Sequence, residues 1–92
     1  MKIKVKYTAQ LKKATGKGEE LIELAEGSSI ADLLSLLYHQ NTKAFSGIVF
    51  DENEVFLNAV LLILNGRQVN INTMDSLKEN DVLTIMSPIA GG

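Results

Sequence analysis

The sequence predicts an α+β fold, a mixed sheet of four to five strands with one main helix packed on one face. Three observations predict it. "KIKVKYT" (2–8) alternates charged and apolar residues, as a half-buried strand does. "SSIADLLSLLYHQ" (28–40) spaces Ile30, Leu33, Leu34 and Leu37 at i, i+3, i+4 and i+7, the stripe of an amphipathic helix. "AVLLILNGRQVNI" (59–71) and "DVLTIM" (81–86) add apolar runs of strand length, the first broken by an Asn-Gly pair. At 92 residues with 46% hydrophobic and 22% charged, the chain reads as one domain able to bury its own core.

Taken in order, the first strand turns Ile3, Val5 and Tyr7 inward and Lys2, Lys4 and Lys6 outward. Gly16 and Gly18 in "KKATGKG" mark a hairpin-like turn. "EELIELA" (19–25) is then a second strand, antiparallel to the first, with Ile22 and Leu24 inward. Ser29 is placed to cap the helix, and Asp32 completes a capping-box arrangement near the positive end of the dipole. Asn41 can end the helix. Residues 42–58 stay open: they can add a strand, extend the helix layer or stay a loop. Val60 to Leu64 is apolar on both faces, as in a central strand. Asn65-Gly66 turns it into a short strand over Gln68–Ile71. "TMDSLKEND" is a polar connection with at most one helical turn. The last strand points Leu83 and Ile85 inward. One helix after a first hairpin must cover one face of the sheet. In a β-grasp arrangement of these elements the first and last strands lie side by side at the centre.

Composition narrows function. The net charge of −2 gives no global basic footprint for nucleic acid, and Lys2, Lys4 and Lys6 read as a solvated strand face. No run reaches the ~18 apolar residues of a membrane span. "MKIK" alternates at once, unlike a signal peptide, so a cytoplasmic location is expected. The absence of cysteine removes disulfides, thiolate metal sites and a cysteine nucleophile. His39 sits near a helix C-terminus, where an imidazole favours the dipole, with no second ligand close in sequence. Asp51, Glu52 and Glu54 lack the spacing and glycine of a calcium loop. No metal site and no bound cofactor are expected, and the chain alone is poorly equipped as an enzyme.

"SPIAGG" (87–92) then stands out. At about 7% glycine per position, a Gly-Gly pair at two given positions arises by chance about 0.5% of the time. "KVKYTAQLKKATG", "IELAEGSSIADLL", "LILNGRQV" and "LKENDVLTIMSPIAGG" together resemble the ubiquitin-like β-grasp sulfur carriers, closest to the small subunit of molybdopterin synthase. The resemblance covers most of the chain. It departs from the family where Ser87 replaces a common proline and Met86 a common aromatic. It implies a β-grasp domain over 1–86 and a flexible tail over 87–92. It further implies that Gly92 is adenylated with ATP by an E1-like adenylyltransferase, receives sulfur from a donor as a thiocarboxylate, and passes it on within a two-component synthase. Gly91 and Gly92 would thread the partner's channel, where glycine allows close backbone approach. Pro88 would stiffen the exit from the sheet, and Ile89 would anchor in an apolar slot, with Ala90 between anchor and glycines. Met86 and Thr84 would face away from the helix, near Thr8 and Gln68, on a surface that meets the partners. Met86, Ser87, Pro88, Ile89, Ala90, Thr8 and Gln68 are therefore the expected partner-binding residues. Expected partners are the molybdopterin synthase large subunit, the activating enzyme and the sulfur donor, with no nucleic acid and no membrane. The same tail chemistry would serve thiamine synthesis, tRNA thiolation or protein conjugation through Gly92. A β-grasp interaction module without sulfur chemistry is the alternative of another class.

Overall fold

The computed structural model of the chain describes residues 1–73 and 75–87. Its elements are β1 (Lys2–Tyr7), α1 (Ala9–Thr15), β2 (Glu19–Glu23), α2 (Ile30–Gln40), α3 (Thr42–Phe45), β3 (Leu61–Leu64), β4 (Arg67–Val69) and β5 (Val82–Met86). The strands form one sheet in the order β2-β1-β5-β3-β4. β1 and β5 run parallel at its centre, and every other neighbouring pair is antiparallel. This is the mixed α+β sheet expected, with the ubiquitin-like β-grasp order.

The core lies between the sheet and α2. Alternation turns Ile3, Val5, Tyr7, Ile22, Leu62, Leu83 and Ile85 to one face, and all are buried. Ile30, Leu33, Leu34 and Leu37 of α2 meet them, each fully buried. The helix starts where the capping box puts it. Ser29 Oγ accepts from the Asp32 amide at 3.1 Å, and the Asp32 carboxylate accepts from the Ser29 amide at 2.9 Å. It stops at Asn41, whose amide donates to Leu37 O at 2.9 Å. The Asn-Gly turn holds as well: Asn65 and Gly66 have φ of 50° and 84°, the left-handed pair a two-residue hairpin of this hand requires.

Several elements differ from the sequence reading or complete it. The segment before Gly16 is not a simple hairpin turn but helix α1, which buries Leu11 under the end of the sheet. Gly16 closes it in the left-handed conformation, φ 78°, with its amide on Lys12 O. Residues 42–58, left open by the sequence, extend the helical layer. α3 buries Ala44 and Phe45, and the chain behind it buries Val49 and Phe50. Phe50 meets Tyr38 and Phe56 edge to face, with ring centroids 5.2 and 5.9 Å away. β3 is not buried on both faces: Leu62 is buried and Leu61 is exposed. Finally, β4 ends at Val69 rather than Ile71, and Leu24 is half-buried at the core's margin.

At the end of the sheet where β5 finishes, the Tyr7 hydroxyl donates to Glu20 Oε2 at 2.5 Å, and Lys17 holds the other carboxylate oxygen at 3.1 Å. Burial pushes the tyrosine's proton affinity well above its ordinary value, and the bond to Glu20 and that carboxylate's charge push it further. A phenol raised in this way contributes its stability in full below the unfolded pKa near 10 and loses it as pH rises beyond. We expect Tyr7→Phe to lower unfolding free energy by about 1–2 kcal/mol at pH 7. We also expect it to flatten the fall in wild-type stability above about pH 10, both read by urea titration. Ser29→Ala is expected to cost about 1 kcal/mol by the same measurement, through loss of the α2 cap.

Candidate functional site

The sheet has one face under α2 and one face open. The open face is built by the residues that alternate with the core. Register places Gln68 opposite Ile63, Ile63 opposite Thr84, Thr84 beside Lys6, and Lys6 opposite Glu19, one continuous row across all five strands. In the next row Leu61 stands opposite Met86. Both are 41% exposed, a high value for large apolar side chains in the interior of a sheet. Lys4 and Glu19 pair across β1 and β2 at 3.4 Å and border this patch with charge.

Of the sequence-predicted residues, Met86, Thr84 and Gln68 share this face. Thr8 lies at its rim, in extended backbone just past β1, with its hydroxyl donating to Ile85 O at 3.2 Å. Leu61 and Ile63 were not anticipated, because an unbroken apolar run hides alternation. The signal was present: a two-residue turn at Asn65-Gly66 sets Ile63 across from polar Gln68, and so puts Ile63 and Leu61 on the polar residue's face. Ser87 differs from expectation. It does not face outward but is buried, held by Thr8 O and the Leu11 amide at 2.8 and 3.3 Å. Pro88, Ile89, Ala90, Gly91 and Gly92 lie outside the described residues.

The rest of the described surface offers little chemistry. His39 is exposed, its Nδ1 2.7 Å from Ser35 O, on a cleft of about 250 Å³ with Tyr38, Phe50, Glu54 and Ile71. Asp51 is occupied by its own loop, accepting from the Asn53 and Val55 amides at 2.8 and 2.9 Å. Arg67 sits exposed beside the turn. Among the described residues no three His, Asp or Glu side chains gather as a metal site would need. No helix among them is long and apolar enough to cross a membrane. What the site can do is bind: an apolar pair on an open sheet face, with five more residues following from its edge.

Comparison with known proteins gives a consistent picture. The molybdopterin synthase sulfur carrier subunit of Chlamydomonas reinhardtii is 27% identical over 92 residues, all of both chains. A candidate molybdopterin converting factor subunit 1 from Pyrococcus furiosus is 34% identical, with a TM-score of 0.76 over 97% of this chain and 99% of that one. SAMP1 from Haloferax volcanii shares the fold with a TM-score of 0.87 over the whole of both chains, at 18% identity. Subunit 1 or 2 in the complex of the two subunits of molybdopterin-converting factor from Helicobacter pylori matches with a TM-score of 0.62 at 22% identity, again over both full lengths. The ThiS family profile matches residues 5–92, from β1 through the final glycine pair. The chain belongs to the ThiS family.

Proposed function

We propose that this chain is a sulfur carrier of molybdopterin synthesis, acting through Gly92 as the small subunit of a two-component synthase. The observation that carries this reading is the family match through residue 92, with an exposed apolar pair, Leu61 and Met86, at the edge from which the last residues depart. The Chlamydomonas relative, matched from end to end, carries sulfur for molybdopterin synthase and favours that acceptor.

The chemistry asks little of the body. A carboxylate is a poor electrophile because its leaving group would be oxide. Attack of the Gly92 carboxylate on the α-phosphorus of ATP releases pyrophosphate and leaves an acyl adenylate. A sulfur donor of the persulfide class, with reducing equivalents to free its sulfur, displaces AMP and leaves a thiocarboxylate. That soft nucleophile attacks the acceptor carbon and displaces an oxygen leaving group from it, and water then cleaves the acyl–sulfur bond, which restores the carboxylate and leaves the sulfur on the acceptor. An E1-like adenylyltransferase supplies the groups for the first step and the synthase large subunit those for the last. This chain supplies the carried atom and the face that docks. Leu61 and Met86 offer desolvation energy at the centre of that face, and methionine adapts to more than one partner surface. Lys4, Lys6 and Gln68 form a polar rim.

The deciding experiment is the intact mass of the chain after incubation with its cell's activating enzyme, ATP and a sulfur donor. We expect a shift equal to exchange of one oxygen for sulfur, lost when Gly91 and Gly92 are deleted. No shift, with a competent carrier charged in parallel, would assign the chain to protein conjugation or to plain interaction. Replacing Leu61 and Met86 together by Gln is expected to weaken binding to the large subunit at least about tenfold in a titration. The same double variant should change unfolding free energy by less than about 1 kcal/mol, since both side chains are exposed.

A further inference from the structure

The parallel ladder between β1 and β5 ends at Tyr7 beside Ile85. Beyond that point the two backbones part, because Ala9, at φ 48°, swings the first chain into α1. Two hydroxyls continue the connection. Thr8 Oγ1 donates to Ile85 O at 3.2 Å, and Ser87 Oγ donates to Thr8 O at 2.8 Å while accepting from the Leu11 amide at 3.3 Å. Leu11 lies in the first turn of α1, and its amide is shared between Thr8 O at 3.1 Å and the Ser87 hydroxyl. Ser87 is also the one polar residue buried among those described, at 8% exposure. Its side chain therefore uses both of its hydrogen-bonding roles to tie the end of β5 to the β1–α1 junction, past the last rung of the β1–β5 ladder.

We infer that Ser87 is a positioning residue. By bolting the end of β5 to the β1–α1 junction, it fixes the residue to which residues 88–92 are joined. The inference rests on the sulfur-carrier reading for its consequence, not for its geometry. Five residues span at most about 18 Å, so the placement of their root decides how often Gly92 reaches a catalytic pocket once the open face has docked. Freeing one backbone residue restores conformations that binding must remove again. Docking of the face governs KM, and insertion of the tail governs kcat, so loss of the bolt falls on kcat.

The test pairs Ser87→Ala with Ile22→Val, a core variant of comparable small destabilisation far from the root. Adenylation is followed as ATP–pyrophosphate exchange by the activating enzyme. We expect Ser87→Ala to lower kcat roughly three- to tenfold with KM within about twofold, and Ile22→Val to leave both near wild type. On the free chain, the nitrogen-15 order parameter of residue 87 should fall from the rigid range near 0.85 toward about 0.6 in Ser87→Ala, with faster exchange of the Leu11 amide. Wild-type kcat in Ser87→Ala, an equal loss in Ile22→Val, or an unchanged order parameter would overturn the inference. A wild-type chain that the enzyme cannot charge defeats the sulfur-carrier reading instead, and the relaxation comparison then still judges the bolt.

Discussion

The pairing of β1 with β5 is the constraint on which the other features depend. It lays residues 4–7 alongside 82–85, so each end of the chain becomes the other's neighbour at the middle of the sheet. A parallel pair cannot be closed by a tight turn, and the chain between must travel out and back. Here α2 makes that journey and shields the sheet as it goes. β2 and β3 then flank the central pair and complete its hydrogen bonding on both sides. The same alternation passes from strand to strand, so one face closes over Leu33, Leu34 and Leu37 and the other stays open.

Much of this was legible in the residues, and what was not has physical reasons. β1 and α2 announce themselves because their periods run unbroken over many positions and one face of each is wholly apolar. The Asn65-Gly66 turn is legible because few residue pairs tolerate its backbone. α1 was hidden: seven residues with a single buried side chain, Leu11, show no stripe, and its glycine stop also fits a hairpin. The 42–58 segment buries Phe45, Val49 and Phe50 without any regular period, so only tertiary packing reveals it. In the site, alternation alone pointed Met86 outward. Ser87 was misleading for the opposite reason. A serine between a strand and a proline looks like the start of a flexible tail, and its burial depends on Thr8 and Leu11, 79 and 76 residues away.

The two faces are held to different standards. The closed face is packed by branched side chains whose removal would leave cavities. The open face keeps Leu61 and Met86 in water, at an energetic disadvantage that the fold itself does not require. Lys6 and Glu19 lie in the row next to that patch, and Glu19 puts charge on the edge strand β2, which discourages indiscriminate edge pairing. The surface is thus sticky over a small area and guarded around it, which suits partners that dock and leave.

The central pair also dictates when the molecule can come into being. Contacts between residues 4–7 and 82–85 close almost the largest loop this chain allows, and such closure must precede any reward from the contacts it permits. While a ribosome is still adding residues near position 80, β1 has only β2 beside it, and a lone hairpin is marginal in water. The core can therefore condense only after β5 is available. A nascent chain carries its first strand unpartnered on one edge until then, exposed to chaperones or to neighbouring chains.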